Sequence, residues 1–304
     1  MNIKMFITNP CRIVVSKKLE KISRYLPAKL YLKCAYRAYF EKSLNLKNPK
    51  TYTEKLQWLK LYDHKPIYTT MVDKYEAKKF VSNLIGEEYI IETFGVWESF
   101  EEINFDELPN QFVLKCTHDS AGLVICKDKK TFDKCAAEKK LNACLKRNFY
   151  YAGREWPYKN VKPRIIAERY MEDSEYKELR DYKFFTFAGV PKVLYITQGR
   201  GVGQETKADF FDMDFKHLPF VIDHCTADIT PAPPMNFELM KTLAGKLSLG
   251  IPQLRVDFYE VDGRIYFGEL TFFHCSGFDA FHPESWDEKF GSWVNLPEKT
   301  KNGE

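Results

Sequence analysis

No C-x-x-C pair occurs among the eight cysteines, at positions 11, 34, 116, 126, 135, 144, 225 and 275. The common zinc-ligand and redox spacings are thereby excluded, and reduced, mostly buried thiols are expected. No apolar run is long enough to span a bilayer, and no signal-peptide core precedes a small-residue cleavage site, so a cytoplasmic protein is expected. Internal repeats and low-complexity tracts are missing too. Six histidines lie scattered at 64, 118, 217, 224, 274 and 282, and none forms a convincing Ser/His/Asp or Cys/His arrangement for nucleophilic catalysis.

What is present is globular: 304 residues with 44% hydrophobic and 15% aromatic content, enough for one large domain or two smaller ones with proper cores. The net charge of +4 is unevenly placed. Residues 1–40 carry nine Lys or Arg against the single acid Glu20, which leaves −4 on the remainder. Such a basic, aromatic-bearing leader suits either an anionic inner-membrane surface or an acidic partner, or else a solvated helix pair packed on the body. With a net-negative body, nucleic-acid binding is not expected.

The chain reads as a helical start followed by short strands. Leu19 to Phe40 predicts one or two helices broken near Pro27, and Thr51-Tyr-Thr-Glu54 is a capping-box signature. Asp73 opens a further helix stopped by Gly86, with Asp73, Lys74 and Lys78 placed to face a ligand. Strands are predicted at 89–93, 112–116, 123–126, 164–171, 181–187 and 190–197, with a helix over 131–148 and another from Asn236 to Gly250. Between two hairpin strands lies Cys116-Thr-His-Asp-Ser-Ala-Gly122, a polar loop whose backbone N–H groups suit phosphate oxygens, with Lys115 as a fixed cation beside it. A surface hairpin with a snorkelling lysine is the plain alternative. The Gly-rich stretch Gln198 to Lys207 reads as a long polar loop. Asp212-Met-Asp214 is a D-x-D, a pattern that holds metal in nucleotide-sugar glycosyltransferases, but here a solvent-facing strand edge is the favoured reading.

The most informative stretch is Arg255 to Gly277, RVDFYEVDGRIYFGELTFFHCSG. It contains two strand-like runs around Asp262-Gly263, each with an acid among β-branched and aromatic residues. Asp257 and Glu269 need a counter-charge there, and together they suggest a divalent-metal site. Turn length decides whether they meet, because side chains alternate across a strand. A two-residue loop separates them onto opposite faces, whereas a three-residue loop, Val261-Asp262-Gly263 with Gly263 in a left-handed bulge, puts Arg255, Asp257, Glu269 and Thr271 on one face. The three-residue loop is the expectation; an ordinary hairpin with solvated acids is the alternative.

In order, the phrases DKYEAKKFV, FVLKCTHDSAG, IIAERYM, RDYKFFTFAGVP and RVDFYEVDGRIYFGELTFFHCSG resemble the ATP-grasp superfamily, and in wording its TupA-like branch, associated with teichuronopeptide and other surface-polysaccharide synthesis. The resemblance covers roughly residues 48–295. It implies an α+β fold in which two α+β lobes clasp a nucleotide, with an N-terminal helical appendage. The expected division is 1–47 as a basic helical segment, 48–163 as the N-lobe with its helices, and 164–304 as the C-lobe.

The resemblance also implies roles. Lys115 is similar to the lysine on the α/β-phosphates, and Thr117, His118, Ser120 and Gly122 to the loop that closes over them. Glu168, Arg169, Tyr170 and Met171 look like the hinge that reads adenine. Lys183 would be a second phosphate or adenine-side lysine beside Asp181. Arg255 would approach the γ-phosphate, with Lys115 as its catalytic companion, and Asp257, Glu269 and Thr271 would hold Mg2+. The superfamily's better-known ligases have Glu-x-Asn where this chain has Glu269-Leu270-Thr271, which puts the number of metal ions in question. The implied function is ATP-dependent joining of a saccharide carboxylate to an amine through an acyl-phosphate, as in amidation of a uronic acid. The alternatives are a glycosyltransferase using Asp212 and Asp214, an ATP-grasp kinase, or a non-catalytic nucleotide-binding module.

Overall fold

The computed structural model describes residues 9–16, 23–174, 179–199 and 205–300. Residues 1–8 and 17–22 of the basic leader, and 200–204 of the glycine-rich loop, lie outside the described residues. Helix α1 (Ala28–Phe40) begins behind Pro27 and buries Tyr31, Leu32, Ala35 and Tyr36. The Thr51 capping box is formed as its sequence predicts: Thr51 accepts from the Glu54 amide, Glu54 reaches back, and α2 (Tyr52–Tyr62) follows. Pro66 occupies the first turn of α3 (Pro66–Val72), where its missing N–H costs nothing. Asp73 then accepts from the amides of Tyr75 and Glu76 at the start of α4 (Glu76–Ile85).

Two antiparallel sheets carry the strands. In the first, the order is β1 (Thr93–Trp97), β4 (Ile165–Arg169), β2 (Phe112–Cys116), β3 (Leu123–Cys126). Its outer side is covered by α5 (Lys134–Leu145), with Phe112, Leu114, Leu141 and Ala167 in a core of their own. Strand β4 sits between β1 and β2, so this sheet extends past residue 163, the expected end of the N-lobe. Strand β1 begins where a strand over 89–93 was expected to end, because Glu87–Tyr89 forms a 3-10 turn.

The second sheet has the order β7 (Lys207–Phe211), β6 (Val190–Gln198), β5 (Asp181–Phe187), β8 (Leu254–Val261), β9 (Arg264–Thr271). A short α6 (Tyr150–Gly153) lies in the segment leading to β4, α7 (Phe237–Leu247) packs on the second sheet through Met240, Leu243 and Ala244, and α8 (Ser285–Trp293) closes the chain against α2. The architecture is α+β, as expected. No helix among the described residues is long and apolar enough to cross a membrane. The cysteines are all free, but only Cys116, Cys126 and Cys144 are buried, fewer than expected.

The β8–β9 hairpin corrects the turn. Val261 pairs with Arg264, so the loop is the two residues Asp262 and Gly263, both with positive φ (49° and 74°). This is the geometry of a tight primed turn, which Asp-Gly favours. Gly263 therefore does not bulge. The one-residue shift comes instead between Asp257 and Phe258, opposite Gly268. A bulge there restores the expected pairing, with Asp257 against Glu269 and Arg255 against Thr271.

Candidate functional site

The two sheets face each other across a cavity of ≈ 280 Å³. Strand alternation decides what enters it. On the second sheet, Lys183 pairs with Asp257, and Asp257 with Glu269, so the three form a row across β5, β8 and β9. On the first, Lys115 at the end of β2 and Glu168 in β4 point from the sheet face toward that row. Lys74 and Lys78 enter from the side, around the start of α4. Ser120 and Gly122 of the polar loop complete the wall, and Ile91, Leu123, Tyr259 and Phe267 add apolar surface.

The charges are tightly paired. Glu168 is ion-paired with Lys78 and with Lys115, each at 2.6 Å. Burial opposes ionisation of Glu168, but Lys115 and Lys78 overcome it and hold its pKa down at about 2. Lys115 in turn loses from burial and gains more from Glu168, so its ammonium is held above the ordinary range. Lys183 lies 2.8 Å from Asp181 and 3.7 Å from Asp257.

Arg255 organises the floor. Its guanidinium donates to both oxygens of Asp257 at 2.8 and 2.7 Å, to Glu269 at 3.0 Å and to the Thr271 hydroxyl at 3.1 Å. The fork is a bidentate charge-assisted pair, the strong kind. Burial still pushes the Asp257 carboxyl up, with Arg255 and Lys183 acting against it. Glu269 is half-buried, and although desolvation opposes its charge its pKa is pulled down to about 2, with Lys74 the largest attraction and Arg255 next. On its other side Arg255 meets His274 Nδ1 at 2.7 Å. An arginine does not give up its proton, so Nδ1 is the acceptor and the neutral ring carries its hydrogen on Nε2. Burial first, then Arg255 and Lys183, keep His274 well below its ordinary pKa.

The cavity gathers Lys115, Ser120, Gly122, Glu168, Asp181, Lys183, Arg255, Asp257 and Glu269 from the expected set. Several others lie elsewhere. Thr117 is buried and donates to the Lys162 carbonyl, and His118 is buried against the Cys144 carbonyl. Arg169 is exposed and pairs with Glu92 at 2.7 Å, Tyr170 bonds Glu172, and neither they nor Met171 line the cavity. Thr271 touches Arg255 and Glu269 rather than the open space. Asp212 is spent on a turn, accepting from the amides of Asp214 and Lys216 at 2.9 Å each, while Asp214 is exposed. The D-x-D thus lies in a turn outside the cavity.

Among the described residues one other group of metal-ligating atoms comes together, Asp223, His274 and Cys275. It does not suit a metal: with Nδ1 accepting from Arg255, His274 has no free lone pair on Nε2. Tyr259 and Phe267 were absent from the expected site. The parity of Tyr259 with Asp257 predicts its place on the cavity face, whereas Phe267, paired with Phe258 beyond the bulge, has no such signal.

The oxygen-only donor set of Asp257 and Glu269 fits magnesium, whose preference is for hard oxygen ligands. Arg255 stands between the two carboxylates as their counter-cation, and each Asp257 oxygen that accepts from it keeps a second lone pair for a metal.

The model of the family described as TupA-like ATPgrasp matches residues 54–295. No curated protein matches the chain. Among solved structures, the chain is similar to D-alanine–D-alanine ligase from Bacillus anthracis, at 19% identity over 66% of this chain and 56% of that one, TM-score 0.39. It is also similar to L-amino acid ligase from Bacillus licheniformis, at 14% identity over 81% and 55%, TM-score 0.44, and to N5-carboxyaminoimidazole ribonucleotide synthetase, at 19% over 89% and 65%, TM-score 0.42. The chain spans little more than half the length of the first two of these proteins. Matched by the family model over most of its length, this chain belongs to the TupA-like ATP-grasp family.

Proposed function

We propose that the cavity binds Mg2+-ATP and that the protein joins a carboxylate to an amine. The observation that carries this reading is the opposition of Lys78, Lys115 and Glu168 on one wall to Lys183, Arg255, Asp257 and Glu269 on the other. Such a site offers cations for phosphates and acids for the metal at the same place. Asp257 and Glu269 would hold magnesium, which would supply charge neutralisation of the phosphate oxygens. Lys115 and Lys78 then exchange part of their contact with Glu168 for phosphate. Arg255 would reach the γ-phosphate, where its planar fork would match phosphate geometry. Ser120 and Gly122 present the loop over the phosphates, Lys183 with Asp181 stands beside it, and Tyr259, Phe267 and Leu123 offer apolar surface to the base.

No side-chain nucleophile is needed. A substrate carboxylate oxygen attacks the γ-phosphorus, the bond to ADP breaks, and the amine then attacks the acyl carbon and expels phosphate, losing a proton. We further propose that the carboxylate belongs to a surface-polysaccharide precursor such as a uronic acid. The exposed stripe Lys29, Lys33 and Arg37 on α1 supports peripheral contact with an anionic membrane surface, where lipid-linked precursors would lie. The glycine-rich loop 198–207 is proposed to meet the acceptor. Equilibrium binding of ATP with and without Mg2+ tests the core of this reading. Tighter binding with the metal, lost in Asp257→Asn or Glu269→Gln and kept in Asp212→Asn, is expected. A metal-independent affinity that the first two substitutions leave unchanged contradicts it.

A further inference from the structure

Beyond β9 the chain makes an unusual corner. Cys275 and Ser276 both have positive φ (47° and 53°), and Gly277 follows at 62°. Two consecutive non-glycine residues in the left-handed region persist only where their surroundings hold them. Those surroundings come from far along the chain. Gln57 Nε2 donates to the carbonyls of Ser276 at 3.2 Å and Gly277 at 2.9 Å. Lys60 Nζ donates to the Ser276 carbonyl at 2.7 Å, to Gly153 at 2.8 Å and to Gln57 Oε1 at 3.0 Å. The Ser276 hydroxyl is tied to the buried carboxylate of Glu155.

Lys60 is only 3% exposed. Its three ammonium protons have three acceptors, so the charged form fits this pocket fully, and the Phe273 and Phe278 rings lie 5.5 and 4.6 Å away. Burial draws its pKa down to about 7 while Glu155 draws it back up. A lysine so costly to bury is a poor choice for packing alone. The residue that its corner carries is His274, whose Nδ1 accepts from Arg255.

We propose that Lys60, together with Gln57 and Glu155, is a positioning residue: it locks the corner 274–277 so that His274 holds Arg255 at the γ-phosphate position of the cavity. This rests on the nucleotide reading of the cavity. Arg255 has contacts on one side with acids that a metal would claim, and on the other with His274. If a metal draws Asp257 away, His274 Nδ1 at 2.7 Å and the Thr271 hydroxyl at 3.1 Å are the neutral contacts left to set the direction of Arg255, and His274 is the shorter of the two. The lock therefore acts on the ATP that has a γ-phosphate and not on ADP.

Affinities for Mg2+-ATP and Mg2+-ADP, measured side by side, test this. Lys60→Met is expected to leave ADP affinity within about twofold and to weaken ATP about tenfold, the size of a lost charge-assisted hydrogen bond. His274→Gln is expected to do the same, and the double variant no more than either alone. A purely structural Lys60 lowers stability and weakens both nucleotides alike, which overturns the proposal. If Lys60→Met does not fold, Ser276→Ala, which cuts only the Glu155 tie, decides: a fall in the ATP-over-ADP ratio supports the lock, and an unchanged ratio overturns it. Wild-type protein that binds neither nucleotide overturns the cavity's nucleotide reading and this inference with it. A wild-type ratio that the variants preserve overturns the inference alone.

Discussion

Asp257 and Glu269 stand directly opposite each other across β8 and β9 because Gly268 bulges, while the turn that joins the strands is as short as a hairpin allows. A Cβ placed on Gly268 would lie 3.0 Å from the Asp257 carbonyl oxygen and 3.3 Å from the Tyr259 ring. Gly268→Val is therefore expected to push β8 and β9 apart at the acids. Denaturant unfolding should show a loss of about 1–3 kcal/mol, and Mg2+-ATP affinity should fall at least about tenfold.

Gly263 gives the contrasting case. Its φ of 74° strains any side chain, yet it sits in the turn and not in the bulge. Gly263→Ala should cost about 1 kcal/mol of stability and leave nucleotide affinity unchanged. A drop in affinity as large as that of Gly268→Val would show that the turn, after all, sets the register.

Glu168 joins α4 to β2 through Lys78 and Lys115. Its pKa is held at about 2, below the ordinary 4.5, so its contribution is complete above the ordinary carboxylate value and disappears as pH falls through the folded one. Urea unfolding from pH 6 down to pH 2 should show wild-type stability falling most steeply below about pH 4.5. Glu168→Gln should be destabilised by about 3 kcal/mol at neutral pH, since it leaves two ammonium groups facing each other, and its stability should vary less over that acid range.

Lys115 and Asp212 separate the ATP-binding readings from glycosyl transfer. Lys115→Met should weaken ATP about a hundredfold, as loss of a buried phosphate cation does. Asp212→Asn should leave ATP binding intact, because Asp212 already serves the amides of its own turn. Isothermal titration of both variants checks this, and the reverse pattern would favour glycosyl transfer.

Much of this arrangement was legible in the sequence because charged residues in buried strands are conspicuous. Asp257, Glu269, Lys183 and Lys115 interrupt apolar sequence, and the bounds of β2, β3 and β5 agree with the sequence to the residue, β2 through its alternation and β5 as a short aromatic run buried at every position. Strand β1 was misplaced because its five residues are all half-buried, leaving no alternation to read. Lys74 and Lys78 were noted as facing a ligand, but their ion pairs with Glu269 and Glu168 depend on how α4 docks, which no local pattern carries. The bulge did leave a signal: a lone glycine inside a strand marks one. Gly268 stands next to Glu269, while Asp262-Gly263 carries the stronger turn signal of the two. The corner at Cys275 and Ser276 left none, since it is imposed by Gln57, Lys60 and Glu155 from more than a hundred residues away.

The central claim is that phosphates and metal meet between the two walls of this cavity. A crystal structure with Mg2+ and a non-hydrolysable ATP analogue tests it most directly. The expected result is a metal ion about 2.1 Å from carboxylate oxygens of Asp257 and Glu269, phosphates against Lys115, and Arg255 at the γ-phosphate. A nucleotide bound away from Lys115 and Glu269 would contradict the account.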